Sequence, residues 1–378
     1  MAAQERWTTT ANVSVVPAEA CRPGARVGLL DGRTGVPLVL LFLREVDAPT
    51  AVELGSAGDV EARLRASTDP EDRQAWQGLL GFFEAEGTKL VVHLSPRGPD
   101  AFESLVGQDR GLQRRTGLHA VSGYREVADL LVVPQASRWL ADEAHRRFHA
   151  RAFTQLAADP HFFFLAELPL AATADEATSW LDGVVCPDAA LFYPWLCRDQ
   201  VPVAPAVVAA AVLQRSDRRF GPHRLPSNQP INGGFVPMRR HSPAELGALV
   251  DRRVTVFHRF SGRETCLWGG ATLAAAGDDD SRFLSTRRTL LALREAVHRV
   301  CEPFVLEPLA PGIEKAVDVA LESAFEPLRK FFASATKQAF ATEVRVERHC
   351  GEDVLVIDVQ CALPYVLGEV SFRLGVAA

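Results

Sequence analysis

From Thr88 onward, short apolar runs alternate with segments of helical period. "KLVVHLSP", "DLLVVP", "FFFLAELP" and "AALFYPWL" are nearly continuous apolar stretches closed by Pro or polar residues. Runs of this kind read as strands buried on both faces. Between the second and third, Arg138 to Asp159 reads as a helix, with Leu140, Ala144, Phe148, Ala152 and Leu156 recurring every fourth residue. A shorter helix is predicted from the N-cap Thr173 to about Leu181, and "APAVVAAAVLQRSD" continues as another. Strands that alternate with helices imply βαβ units and a parallel sheet covered on both faces.

The flanking segments follow other patterns. "GVPLVLLFLREV" is strand-like, Gly58 to Ala66 is a polar helix, and "QAWQGLLGFFEAEG" reads as a helix with Gly87 as its C-cap. Arg218 to Pro243 is rich in Gly, Pro and Asn and reads as one long loop, a class that is often functional or interfacial. "RRVTVFHRFSG" and "ETCLWGGATL" read as two strands around a Ser-Gly turn. "LSTRRTLLALREAVHRVCEPF" is an amphipathic helix capped near Ser285, and the helical stretch after it is expected to break at Glu326-Pro327. The chain then closes on period-two alternation. Leu355, Ile357, Val359, Cys361 and Leu363 are apolar, as are Val370, Phe372, Leu374 and Val376. Such alternation marks half-buried strands. The connection from Ala362 to Gly368 contains Pro364 and is too long for a two-residue turn, so these strands, like the lone N-terminal one in "ANVSVVP", lack an obvious local mate.

Composition narrows the classes. The 378 residues carry a net charge of −6, which gives no support to nucleic-acid binding. Seven cysteines without a C-x-x-C pair favour free thiols over a disulfide framework. The N-terminus has no apolar signal region, and the longest apolar runs fall short of the roughly 20 residues a spanning helix needs. Residence in the cytoplasm, at least until assembly, is expected.

No local motif demands catalysis. "GLLDGRTG" misses the phosphate-loop spacing and places Arg33 where Lys is needed. His145 and His149 stand at i,i+4 without the zincin glutamate and beside Arg146, and read as a solvated helix face. "GDDDS", at Gly277 to Ser281, lacks the alternation of a calcium loop, and there is no G-x-S-x-G elbow. Trp195 and Trp268 read as core aromatics. No catalytic residue, metal or cofactor is expected, although a soluble α/β hydrolase-like enzyme with an unrecognised site stays open as the alternative.

Several stretches, in order, resemble the contractile tail sheath family of phage tails, R-type bacteriocins and contractile injection systems. "LLGFFEAEGTKLVVHL" resembles its helix-to-strand segment, and "RRTGLHAVSGYREVADLLVVP" its R-T-G-L-x-A-L segment. "AALFYPWL" resembles A-A-L-Y-Y-P-W. "VTVFHRFSGRETCLWGGATL" resembles V-N-x-[IF]-R-x-F-x-G-R-G…W-G-A-R-T-L, and "STRRTLLALREAVHRVCEPFVLEP" resembles V-x-R-R…F-E-P. The likeness runs from about Leu79 to the C-terminus. Glu264 replaces a family glycine, the Arg of W-G-A-R-T-L is missing, and Ala211 stands for the usual Gly after the small-residue helix.

The resemblance implies an α/β (α+β overall) fold: a subtilisin-like parallel-sheet body, a C-terminal α+β sheath domain and extended strand arms. The implied boundaries are an N-terminal arm at 1–20, the body at 21–240, the C-terminal sheath domain at 241–350 and a C-terminal arm at 351–378. It also implies a structural subunit, not an enzyme, that stacks as hexameric rings around an inner tube and contracts. Partners would be other copies, the tube protein, baseplate and terminal cap proteins, with no nucleic acid and no membrane insertion. The particle, assembled in the bacterial cytoplasm, would be a phage tail or a phage tail-like particle. The arms would pair between subunits through Asn12, Val13, Ser14, Val15 and Val16 at one end. Leu355, Ile357, Val359, Cys361, Val370, Phe372 and Leu374 would serve at the other. The last helical region would face the tube with Glu326, Arg329, Lys330 and Lys337, unless that basic strip is only a solvated helix face.

Overall fold

The computed structural model describes residues 34–378 apart from 112–113, 159, 279–280, 305–311, 333–339, 350–351, 363–368 and 378, and from residue 326 onward it describes the backbone. The expected N-terminal strand, Asn12 to Val16, lies outside the described residues. The chain divides into two compact units, Gly32–Arg288 and one that includes Thr289–Ala378.

The first unit opens with β1 (Pro37–Leu43), β2 (Thr50–Leu54), α1 (Ala57–Ala66), α2 (Pro70–Glu84), β3 (Leu90–Pro96) and α3 (Ala101–Val106). A 3-10 helix at Gly117–Tyr124 leads to β4 (Leu130–Val132), α4 (Ala136–Trp139), α5 (Asp142–Ala158), β5 (Phe163–Glu167) and α6 (Ala174–Trp180). Then come β6 (Ala189–Tyr193), β7 (Leu196–Arg198), β8 (Val201–Val203), α7 (Pro205–Phe220), β9 (Val236–Pro237), α8 (Pro243–Asp251), β10 (Val254–Arg259) and β11 (Thr265–Trp268). One eight-stranded sheet runs β11-β10-β6-β5-β4-β1-β3-β2. The inner strands β3, β1, β4, β5, β6 and β10 are parallel, while β2 and β11 close the two ends antiparallel. The mixed α/β class and the parallel sheet read from the sequence are therefore found. β7, β8 and β9 form a separate small sheet.

Continuous apolar runs made this sheet because both faces are covered. All seven residues of β1 are buried. Leu38, Leu40 and Phe42 join one core with Leu105 of α3, Phe148 and Phe153 of α5, Trp180 of α6 and Leu249 of α8. On the other side α7 packs on β4, β5 and β6, and α2 packs on α7 and β1. Fully burying a side chain of this size contributes about 1.5–3 kcal/mol, so the alternate residues of each inner strand anchor two helical layers at once.

Local chemistry sets the helix ends. Thr173 and Glu176 form a capping box on α6, as the sequence suggested. Ser242 and Glu245 form another on α8, a helix in a stretch that the sequence reading left unassigned. α2 ends differently from expectation. Ala85 is its C-cap, Glu86 takes the left-handed conformation at φ 69°, and Gly87 donates its N–H to the Phe82 carbonyl at 2.9 Å. Gly87 thus lies two residues past the cap, where a Cβ would stand 2.3 Å from the Phe82 ring. The expected helix from Arg138 is interrupted. Leu140 is extended, and α5 begins at Asp142, where Asp142 and Glu143 suit the positive end of the helix dipole. α7 runs to Phe220, so the long loop starts at Gly221. The expected domain boundary at 240 falls inside this unit, because β10 extends the sheet beside β6.

α9 (Leu284–Cys301) crosses the division, with Ser285 inside the helix rather than at its cap. The second unit continues with α10 (Ile313–Phe332), β12 (Phe340–His349), β13 (Glu352–Ala362) and β14 (Glu369–Ala377). α10 does not break at Glu326-Pro327. An interior proline removes one hydrogen bond at a cost of ~3 kcal/mol. The buried stripe Val317, Leu321, Ala324 and Phe325 offsets that locally by packing the turn just before it. Among the described residues no helix is long and apolar enough to cross a membrane.

Candidate assembly surface

The three last strands form one sheet in the order β12-β13-β14. Both pairings are antiparallel. Leu355 stands opposite Val346 and Val376, Ile357 opposite Val344 and Leu374, Val359 opposite Thr342 and Phe372, and Cys361 opposite Phe340 and Val370. The alternating apolar positions of all three strands therefore fall on one side of the sheet. This departs from the expectation that the last strand lacks a mate in its own chain and reaches away over its slack connection. β14 folds back on β13, since matched apolar periods favour cross-strand pairing. β13 has neighbours on both sides within the chain. Among the described residues, the outer edges of β12 and β14 carry no strand. Of the four expected tube-facing residues, Glu326, Arg329 and Lys330 fall on the last turns of α10, and Lys337 lies outside the described residues.

The eight-stranded sheet has two unlike ends. Beyond β11 the loop supplies main-chain bonds in place of a strand. Asn228 N–H donates to Leu267 O at 2.7 Å and Ile231 N–H to Thr265 O at 2.8 Å. At the other end β2 is mostly exposed, and its outer edge carries no strand among the described residues.

Buried polar groups tie the elements of the body together. At the amino ends of the strands, Arg287 pairs with Asp188 at 2.6 Å, and Arg288 grips Asp217 through two bonds and reaches Asp129 at 3.4 Å. Asp129 also accepts the Gly35 N–H at 2.9 Å. Gly35 is at φ 78°, and a Cβ there would lie 2.8 Å from Gln214 Cα. Burial pushes Asp217 up to about 6 against the pull of Arg288, so the pair is ionised at neutral pH. At the carboxyl ends, between β1 and β4, α/β sheets of this kind often bind ligands in a crevice. Here Gln135 fills the place, accepting from Phe42 N–H at 2.8 Å and donating to Phe42 O at 2.9 Å.

His145 and His149 are buried, not solvated. The stripe His145, Phe148, His149, Ala152, Phe153 and Leu156 is the face α5 turns to the core. His149 stacks on Phe164 and meets Trp180 edge-on. Burial drives His145 down to about 2 and His149 down to about 4, so both are neutral. Ser137 Oγ lies 3.3 Å from His145 Nε2, but Ser137 is 3% and His145 0% exposed, so no substrate can reach this dyad. Glu167, at the end of β5, accepts the Ala206 N–H at 3.0 Å and so caps α7, whose own N-cap Ala204 has no side chain to offer. Burial raises Glu167 to about 8.

The remaining candidates have structural explanations. Asp278 accepts the Ser281 N–H at 3.0 Å. No group of three or more possible metal ligands occurs among the described residues. Trp195 is buried, with its N–H on Leu168 O at 2.8 Å, whereas Trp268 is half-buried against Phe260. Cys186, Cys197, Cys266 and Cys301 are free thiols. The Arg287–Arg288 clamp was not found from the sequence. Its signal was present: two adjacent arginines at the start of an amphipathic helix, and aspartates just ahead of two apolar runs.

No family model and no curated protein matches the sequence. Solved structures do match the fold. The PVC sheath complex of an extracellular contractile injection system, in its contracted state, superposes with TM-score 0.63 at 17% identity, over 93% of this chain and 94% of that one. A chain of the anti-feeding prophage baseplate gives 0.64 at 20%, over 96% and 99%. The sheath tail protein of Desulfitobacterium hafniense gives 0.58 at 10%, over 98% and 100%. The described architecture, from the eight-stranded sheet to the closing β12-β13-β14 sheet, has the fold of contractile sheath proteins.

Proposed function

We propose that this chain is a structural subunit of a contractile sheath, stacked as hexameric rings around an inner tube. The observation that carries the reading is fold likeness along nearly the full length of both chains. The Ser137–His145 pair and the Arg288–Asp217 pair are closed off from solvent, which supports a scaffold over an enzyme. In this reading the outer edges of β12 and β14 take strands from neighbouring copies, including the Asn12–Val16 strand, by strand addition. Main-chain pairing of that kind would keep subunits joined while their bodies move as rigid units during contraction. The last turns of α10, with Glu326, Arg329, Lys330 and Lys337 nearby in sequence, would meet the tube. Baseplate and cap proteins would complete a phage tail-like particle assembled in the bacterial cytoplasm.

Co-expression with a tube protein, followed by electron microscopy, tests this. Rings or tubes are expected, and a monodisperse monomer under all conditions would refute it. A chain truncated after His349 should keep its body folded and lose polymerisation.

A further inference from the structure

β11 is an end strand without the features that keep strand edges apart. Thr265, Cys266, Leu267 and Trp268 carry no charge, and the first three are buried. Unpaired N–H and C=O groups on such a strand are a template for another chain. The other end of the sheet is blunted by charge: β2 is mostly exposed, and its Glu53 pairs with Lys89 at 2.9 Å.

The segment 226–232 lies against β11 as a strap. It runs antiparallel, with Pro230 opposite Cys266. The Asn228 and Ile231 amides occupy the outward carbonyls of Leu267 and Thr265. The Ile231 side chain is 0% exposed and anchors the strap in the body.

The outer side of the strap is closed to a further strand. Main-chain groups of successive extended residues point to opposite sides. Ile231 donates inward, so Pro230 faces outward. It has no N–H to donate, and its carbonyl is engaged by Arg215 at 2.6 Å. Asn228, at φ 62°, turns the chain out of the extended line.

Polar latches hold the strap from distant parts of the sequence. Asn232 Nδ2 donates to Glu86 Oε1 at 2.7 Å, and Arg215 donates to Glu86 Oε2 at 2.9 Å. Arg263 donates to Asn228 Oδ1 at 2.9 Å, and Ser227 Oγ donates to Gly269 O. The Asn232 and Arg263 side chains are exposed, so they fix the strap without filling the core.

We propose that residues 226–232 are an edge guard, a strap that keeps β11 from pairing with the β11 of a second copy. The edge is self-complementary. With the strap displaced, the Leu267 N–H of each copy would replace the Ile231 N–H on the Thr265 carbonyl of the other, about a two-fold axis. Cys266 of each copy then stands opposite its mate, at a Cα separation of about 4.5–5.5 Å that a disulfide can span. The guard gives the long Gly- and Pro-rich loop a task that does not depend on the sheath reading.

Asn232→Ala with Arg263→Ala tests it in the full chain. Both side chains are exposed, so near-ultraviolet circular dichroism should match the wild type. Losing two hydrogen bonds should speed hydrogen exchange of the 226–232 peptide roughly tenfold, read by mass spectrometry. Under diamide oxidation the double variant should give a dimer linked Cys266 to Cys266, identified by peptide mapping. The wild type should give little of it, and adding Cys266→Ser should abolish it. A Cys266 link reports this edge and not association through β12 or β14. A strap that exchanges faster without the linked dimer, or one that exchanges at the wild-type rate, overturns the proposal. Should the double variant lose its fold, Arg263→Ala alone decides by the same two readouts.

Discussion

Replacing Arg288 with Met strips the counter-charge from two carboxylates at the heart of the body. Its side chain is 2% exposed, Asp217 is 0% and Asp129 28%. The substitution fills similar volume, so the loss is electrostatic rather than a cavity. Removing one partner of a buried pair costs about 3–5 kcal/mol, because the other charge stays in low dielectric. At ~2–4 °C per kcal/mol for a domain of this size, the melting temperature at pH 7 should drop by roughly 6–20 °C. The loss should shrink at pH 5. Burial already holds Asp217 up to about 6, and without Arg288 it rises further, so at pH 5 the carboxyl is neutral in the variant. Adding Asp217→Asn to Arg288→Met should restore a good part of the loss at pH 7. The assay is thermal unfolding of the full chain followed by near-ultraviolet circular dichroism at both pH values. A variant within 2 °C of wild type at pH 7, or a double variant no more stable than the single one, would refute the account of a charged clamp.

Three further outcomes are expected. Gln135→Leu orphans both main-chain groups of Phe42; at about 1–3 kcal/mol each, it should destabilise the body and speed hydrogen exchange at the Phe42 amide. His93, His145 and His149 are each held neutral by burial, at about 4, 2 and 4. The unfolded chain takes up their protons first, so their contribution to stability is present above about 6.5 and is lost as pH falls through the depressed values; His149→Phe should lower the acid slope of denaturation by one proton. Glu167 has the opposite sign: its raised value means the fold keeps the proton, a contribution fully present below about 4.5 and lost as pH rises through 8. Glu167→Gln keeps an acceptor for Ala206 and should flatten melting temperature between pH 6 and 9; an unchanged profile would contradict a buried, protonated carboxyl.

The strands of the parallel sheet were legible because burial on both faces leaves a mark that needs no partner to read, as in "LVVHL" and "FFFLAE". Caps were legible where both members lie three residues apart, as with Thr173 and Glu176. What could not be read were choices made across long separations. Gln135 serves Phe42 from 93 residues away, and Arg288 reaches Asp129 from 159. A helical histidine pair looks solvated or buried depending on which face the sheet takes, and the neighbouring Asp142, Glu143, Arg146 and Arg147 weighted the sequence reading toward solvent. β2 was missed because "TAVEL" is an exposed edge strand with little apolar alternation. The mate of β14 was missed for another reason: a six-residue gap permits reversal as readily as escape, and only the nine-residue β13–β14 ladder shows which sheet it joins.

The order of synthesis gives the terminal sheet a second meaning. The body's sheet is complete in sequence at Trp268, and β12 begins at Phe340, about 70 residues later. At ~5–20 residues per second, translation supplies those residues over roughly 4–14 s. All eight strands of the body can therefore pair on the nascent chain before any of the last three exists. Strands with unpaired edges are the segments most prone to capture by a half-folded neighbour. Placing them last confines that hazard to chains whose bodies have already had time to close, so the ribosome itself schedules when a copy becomes adhesive.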